Sequence, residues 1–293
     1  MNSTLRRPER TQTYKNMLTD TDRWEFYIPR DDDIFVCTLG KNGTTWMQAI
    51  CALLIFQKPE LDFNPAERSP WFDVTFEPIE DVVSNLEAQT ERRVIKTHTP
   101  LDGIPYHDSC TYITVYRDPR DVFFSLRNHI DNMKRIAIDM PEMETDEGFR
   151  FFVDVPYTPG GPPMGLEAAV AHYDSYWNYR HLPNLHFFHY SDLKRDLRGE
   201  MGKVARALGI GVDDDLLSRL AEAASFENMK SKPEQFIPGA TSDAWHDPSR
   251  FLHKGTSGQW KDVLSPESLD AFETKLASLL PPDRALWLKQ GSG

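Results

Sequence analysis

Residues 31–39, DDDIFVCTL, end in an almost unbroken apolar run, as a strand buried on both faces would. Directly behind it, GTTWMQAICALLIF (43–56) carries apolar residues at helical spacing and stops short of Pro59. The alternation continues along the chain. RRVIKTHTP (92–100) and CTYITVY (110–116) predict strands, the second rich in β-branched and aromatic residues. RDPRDVFFSLRNHIDNMKRI (117–136) predicts a turn entering a helix, with Pro119 in its first turn. GLEAAVAHYDSYWNYRHL (165–182) predicts a helix and NLHFFHY (184–190) a strand. SDLKRDLRGEMGKVARALG (191–209) predicts one helix with a serine cap and a glycine stop. Two further helices are predicted over 213–225 and 265–281.

Strands alternating with helices imply right-handed crossovers and an α/β fold: a central parallel sheet flanked by helices. No linker separates two cores, so one domain is expected over 1–293, with 1–30 as an N-terminal segment. VPYTPGGPPMG (155–165) and the stretch 237–260 are too long to be mere connectors, and a lid or binding role is expected of them. In such a sheet, ligands sit at the carboxyl ends of the strands. The residues that follow each strand are therefore the ones that matter.

Composition narrows the function classes. The formal net charge of −12 argues against a nucleic-acid duplex or a polyanionic glycan as partner, while leaving room for a local basic pocket. Cys37, Cys51 and Cys110 lie far apart, without metal-ligand spacing, so buried free thiols and a reducing compartment are expected and no metal site is. The first thirty residues lack an apolar signal core, and no apolar run approaches the ~20 residues of a membrane span. A soluble cytoplasmic protein is the expectation; the closing GSG (291–293) carries no weight.

Four segments hold candidate chemistry. After the first strand, the amides of Asn42, Gly43, Thr44 and Thr45 would stand at a helix N-terminus beside Lys41, a cradle for phosphate. The lysine precedes the glycine, unlike the GxxxxGK[ST] order, where a hydroxyl holds magnesium. After the second, Lys96 and His98 share one face of a strand end, pairing an ammonium with an imidazole able to take a proton. After the third, Arg117 offers a planar fork and Ser125 follows in the helix. Last, FLHKGTSGQWK (251–261) carries His253, Lys254 and two glycines in a loop. Each segment alone is also compatible with an ordinary turn or a solvated surface.

In this order and spacing the four segments resemble the cytosolic sulfotransferases that use 3′-phosphoadenosine-5′-phosphosulfate. GKNGTTW stands where that family has PKSGTTW, KTHTP where it has KTH, RDPRDVFFS where it has RDPRDxxxS, and HKGTSGQWK where it has RKGxxGxWK. YSDLKRD (190–196) and ASFENMK (224–230) resemble its YEDLxxD and TSFxxMK segments. SPWFD, IKTHTPLDG and HLPN look most like bacterial members tied to glycolipid or alcohol acceptors. The resemblance implies a P-loop-like sulfotransferase fold and assigns roles. His98 would be the base toward an acceptor hydroxyl, with Lys96 and Lys41 stabilising the transferring group and the leaving oxygen. Asn42, Gly43, Thr44 and Thr45 would bind the 5′ end. Arg117, Ser125, His253, Lys254 and Gly255 would bind the 3′-phosphate, and Trp46, Tyr190 and Phe226 the adenine. The stretch 237–260 would cover the nucleotide, and no metal would be needed.

Three departures stand out. Asn42 replaces the usual serine and is expected to keep donating hydrogen bonds; Ala224 replaces a threonine near adenine; His253 replaces an arginine. With His253 protonated in acid, cofactor affinity and turnover are expected to respond oppositely between pH 6 and 8. The family's dimer segment, KxxxTVxxxE, appears only as KDVLSPESLD (261–270), leaving the oligomeric state open. The acceptor, a neutral phenol, alcohol or lipid-linked sugar, is expected against Trp24, Phe26, Tyr27, Trp71, Phe72, Phe76, Phe152, Tyr157 and Trp245. A small-molecule P-loop kinase, a non-catalytic nucleotide-binding protein, and an enzyme that sulfates an alcohol only to expel it remain as alternatives.

Overall fold

The computed structural model describes residues 6–134, 143–161 and 163–292. Four parallel strands form the sheet: β1 (Ile34–Cys37), β2 (Val94–Thr97), β3 (Thr111–Tyr116) and β4 (Leu185–His189), in the order β2-β1-β3-β4. The chain steps outward from β1 to β2, then returns across β1 to β3. The crevice beyond the carboxyl ends of β1 and β3 is therefore the switch point where such sheets bind ligands.

The period-two alternation of a strand divides its side chains between the two faces, and both are covered. Ile34, Val36, Ile113 and Val115 pack under the helix Thr44–Phe56 with the helices Leu197–Ala207 and Asp214–Ala223. Phe35, Cys37, Ile95 and Tyr112 face the other way, onto Trp24, Tyr27, Phe72 and the helix Ile79–Glu87. A third cluster lies beyond Tyr116, where Phe123, Phe149, Phe152 and Phe272 join the helices Pro119–Asn132, Thr145–Asp154 and Pro266–Leu279. All three cysteines are buried and free.

Two expectations need correction. Residues 191–209 form two helices, Tyr190–Arg195 and Leu197–Ala207, because Asp196 leaves helical backbone and caps the second one through Gly199. The first is capped by His189, not by Ser191, whose amide donates to the His189 ring. The helix entered at Pro119 ends at Asn132; residues 135 and 136 lie outside the described part. The helices Ile79–Glu87, Thr145–Asp154 and Pro282–Gln290 add to those predicted.

The two ends of the sheet treat charge differently. At the amino end, Arg93 and Asp33 are buried as a two-contact pair, 2.7 and 2.5 Å, with the Tyr27 hydroxyl donating to the same carboxylate. At the carboxyl end, Lys41, Lys96 and Arg117 lie over aromatic faces.

Candidate active site

The turn after β1 is shaped by backbone first. Lys41 sits at φ 67° and Gly43 at φ 114°, both left-handed. Gly43 fits that conformation without strain, and a β-carbon there would also meet the Tyr190 ring at 3.3 Å. No side chain caps the helix Thr44–Phe56, so its first amides remain available. Thr38 and Thr44 join their hydroxyls at 2.5 Å and tie the turn to β1. Asn42 departs from its expected role. Its side-chain amide turns inward and donates to the Leu39 and Gly40 carbonyls, so it closes the turn instead of reaching the cavity.

That cavity measures about 870 Å³ and opens over the carboxyl ends of the strands. Lys41, Gly43, Thr44, Thr45, Trp46, Lys96, His98, Arg117, Ser125, Tyr190, Phe226, His253, Lys254 and Gly255 all line it. Its cations lie over rings: Lys41 Nζ 4.4 Å from the Phe251 centroid, Lys96 Nζ 4.3 Å from Trp71, and the Arg117 guanidinium 4.3 Å from Tyr190. Burial, with the nearby charges of Arg117 and Lys96, lowers Lys41 to about 7. Burial lowers Lys96 to about 8, against the upward pull of Asp73 and Glu77. Arg117 Nε is buried without a partner, while its Nη2 donates to the Thr256 carbonyl at 3.1 Å.

His98 follows β2. Its Nδ1 is hydrogen-bonded to the Thr38 carbonyl. A carbonyl can only accept, so Nδ1 carries the hydrogen and Nε2 keeps its lone pair. Burial, then the Lys96 charge, hold the ring's pKa well below 6.5, so the imidazole is neutral at physiological pH. Asp73 fixes the backbone around it: one carboxylate oxygen accepts from the Thr97 and Thr99 hydroxyls at 2.8 and 2.6 Å and from Trp24 Nε1 at 3.2 Å.

The loop 251–261 forms the opposite wall. Asp121, on the helix Pro119–Asn132, accepts from the Gly258 and Gln259 amides, both at 2.9 Å. Lys230 donates to the His253 carbonyl at 2.5 Å and Lys194 to that of Gly255. Gly255 has φ 60°, and a β-carbon there would meet the Phe226 ring at 2.5 Å. Trp46 Nε1 donates to the Ala224 carbonyl at 2.7 Å and packs edge-on to Tyr190 at 5.3 Å. Burial and the charges of Lys254, Lys230 and Arg250 lower His253, so protonation of this ring lies below the ordinary histidine range.

The aromatic candidates for the acceptor wall divide. Trp71, Phe76 and Trp245 line the cavity. Trp24, Tyr27 and Phe72 belong instead to the core beneath the sheet, and Phe152 to the third core cluster. Phe26 stands 57% exposed on the surface. Tyr157 lines a separate small space behind His98. Sequence reasoning missed His129, Met133, Glu77 and Phe251, all on the cavity wall. The signal for His129 lay in the spacing, one helical turn after Ser125 on the same face; Met133 follows just past the end of that helix, in extended backbone. Among the described residues, no cluster of histidine, cysteine or carboxylate side chains could hold a metal ion, and no helix is long and apolar enough to cross a membrane.

Comparison with known proteins adds the following. A family model described as "Sulfotransferase domain" matches residues 31–280. A glycolipid sulfotransferase of Mycobacterium tuberculosis (strain ATCC 25177 / H37Ra) is 35% identical, with 95% of this chain and 94% of that protein covered. The amine sulfotransferase of Oryctolagus cuniculus is 27% identical, with coverage of 90% and 85%. Among solved structures, a mouse sulfotransferase complexed with PAP superposes with a TM-score of 0.72 at 21% identity, covering 92% of each chain. A retinol dehydratase in complex with retinol and PAP gives a TM-score of 0.70 at 23% identity, covering 89% of this chain and 84% of that one. At those identities, the two structures speak to the fold alone.

Proposed function

The chain belongs to the sulfotransferase family, and from that premise we propose that it moves a sulfuryl group from 3′-phosphoadenosine-5′-phosphosulfate to a hydroxyl of a lipid-linked acceptor. The observation that carries the donor's identity is the convergence of Lys41, Lys96 and Arg117 in one cavity, with Lys41 lowered to about 7 by burial and its cationic neighbours. Such a site favours a multiply charged anion. The residues fit this donor: Arg117 Nε is buried without a partner, and Gly43 and Gly255 let their backbones lie close against the Tyr190 and Phe226 rings, where a β-carbon would collide.

The amides of Gly43, Thr44 and Thr45, with Lys41, would hold the 5′ end. Arg117, Ser125, His253, Lys254 and the Gly255 backbone would hold the 3′-phosphate. Trp46, Tyr190 and Phe226 would flank the adenine. The donor supplies an activated sulfuryl group on a phosphate leaving group. His98 takes the acceptor's hydroxyl proton at Nε2, the nitrogen whose lone pair is left free by the bond from Nδ1 to Thr38. Lys96 and Lys41 stabilise the charge that grows on the transferring oxygens. The 237–260 segment would cover the nucleotide, since Leu252 to Gly255 and Gln259 line the cavity. The mycobacterial relative is named for glycolipids, and Trp71, Phe76, Met133 and Trp245 offer an apolar wall for an alkyl chain. We place the protein in the cytoplasm, where its three buried thiols would stay reduced.

Calorimetric titration with 3′-phosphoadenosine-5′-phosphate, against ATP with magnesium, tests the donor. Metal-independent binding of the bisphosphate, weakened at least tenfold in Arg117→Ala, is expected. Binding of magnesium ATP alone would replace this reading with a kinase. His98→Asn is then expected to bind the bisphosphate as the parent does and to lose roughly 10²–10⁴-fold in turnover. Product analysis distinguishes a released sulfate ester from an expelled alcohol.

A further inference from the structure

His129 lies outside every motif above, yet it stands on the cavity wall beside the catalytic groups. It follows Ser125 by one helical turn, its Nδ1 is 3.1 Å from Lys41 Nζ, and its ring packs against Trp245 at 5.0 Å and Phe251 at 5.4 Å. It therefore sits where the cationic end of the cavity meets the apolar acceptor wall. A charged ammonium can only donate, so with Lys41 held charged by a bound anion, His129 Nδ1 accepts and Nε2 carries the hydrogen. His98 has the opposite arrangement, with Nδ1 donating to the Thr38 carbonyl and Nε2 unprotonated. The two imidazoles offer one cavity a lone pair and an N–H. Burial and neighbouring cations keep both rings neutral, His129 at about 2 and His98 well below 6.5.

A monohydroxylic acceptor needs only the lone pair. An N–H beside it matches a second oxygen adjacent to the reacting hydroxyl, as a sugar ring or a vicinal diol presents. We propose that His129 is a specificity-determining residue that donates through Nε2 to an oxygen neighbouring the acceptor hydroxyl, selecting a polyhydroxylated headgroup, a sugar above all, over a simple alcohol. This inference rests on the sulfotransferase reading and narrows its acceptor. A site built to hydrogen-bond a substrate oxygen discriminates against analogues that lack it.

The test compares n-octyl β-glucoside with 1-octanol as acceptors, using wild type, His129→Phe and His129→Gln, with bisphosphate affinity measured on each. Wild type is expected to prefer the glucoside in kcat/KM. His129→Phe is expected to lower that preference about tenfold or more, and His129→Gln, which keeps an N–H donor, to restore part of it. Equal losses on both acceptors would overturn the proposal, as would wild type that sulfates octanol and ignores the glucoside; in both cases the sulfotransferase reading stands. Wild type that neither binds the bisphosphate nor sulfates either acceptor would overturn that reading, and this proposal with it.

Discussion

At the scale of the residue, titration decides the pH response. His98 is held well below 6.5, so it keeps its free base through neutral and mildly acidic pH. His253 is lowered too, which moves its protonation below the window of pH 6 to 8 expected from sequence. Within that window Lys41, at about 7, is the group whose charge changes most, followed by Lys96 at about 8. Anion affinity should therefore fall as pH rises from 6.5 to 8.5, because both ammoniums are lost on the alkaline side. Calorimetry across that range is expected to show weakening of about tenfold, the size of one charge-assisted contact, and Lys41→Arg should flatten the curve. An affinity that rises with pH would contradict this assignment.

At the scale of the element, the loop 251–261 is held by Lys230, Lys194 and Arg117 on its carbonyls and by one carboxylate on its amides. Asp121 receives two backbone amides, so Asp121→Ala leaves both without a partner. A loss of about 1–3 kcal/mol in stability and at least tenfold weaker bisphosphate binding are expected, by denaturant titration and calorimetry on the same variant. Unchanged binding would mean the loop is held by its other contacts. How legible such features are depends on how local their causes are. The strands, the helix Thr44–Phe56 and the turn at Lys41 were readable because apolar period and glycine conformation act within a dozen residues. The break at Asp196 was not, since a lone aspartate within an amphipathic run is as often a solvated face as a cap. Most residues expected to bind the donor follow strand ends directly, and all of them except Asn42 line the cavity. The acceptor half is assembled from distant segments, so Trp71 and Phe72, adjacent in sequence, part company: one lines the cavity and the other lies in the core.

At the scale of the molecule, the same buried ammoniums couple folding to pH. Lys41 is lowered to about 7 and Lys96 to about 8 in the fold, from 10.5. Above those values the unfolded chain binds more protons than the folded one, so ligand-free stability rises with pH. Between pH 7 and 8 the unfolded cysteines are mostly protonated and the lowered histidines act with the same sign as the lysines, so the slope is positive; above pH 8 the three buried thiols, raised in the fold, oppose it. Thermal unfolding between pH 7 and 8 should show a rising midpoint in wild type and a shallower rise in Lys41→Met. Saturating bisphosphate, which keeps both ammoniums charged, should remove the slope. A midpoint that falls with pH in the ligand-free protein would reject the account.

The stretch 237–260 borders the cavity in two places, between Pro238 and Trp245 and between Phe251 and Gln259. Redesign of this protein inherits that shared wall. A substitution at Trp245 meant only to admit a bulkier acceptor acts on a ring that touches Phe251, which in turn lies over Lys41. Acceptor scope and donor affinity are thus not separable engineering variables. A library over this stretch would have to be screened for both at once, and Trp71 offers no way around it, since its ring lies 4.3 Å from Lys96 Nζ and 4.6 Å from the His98 ring.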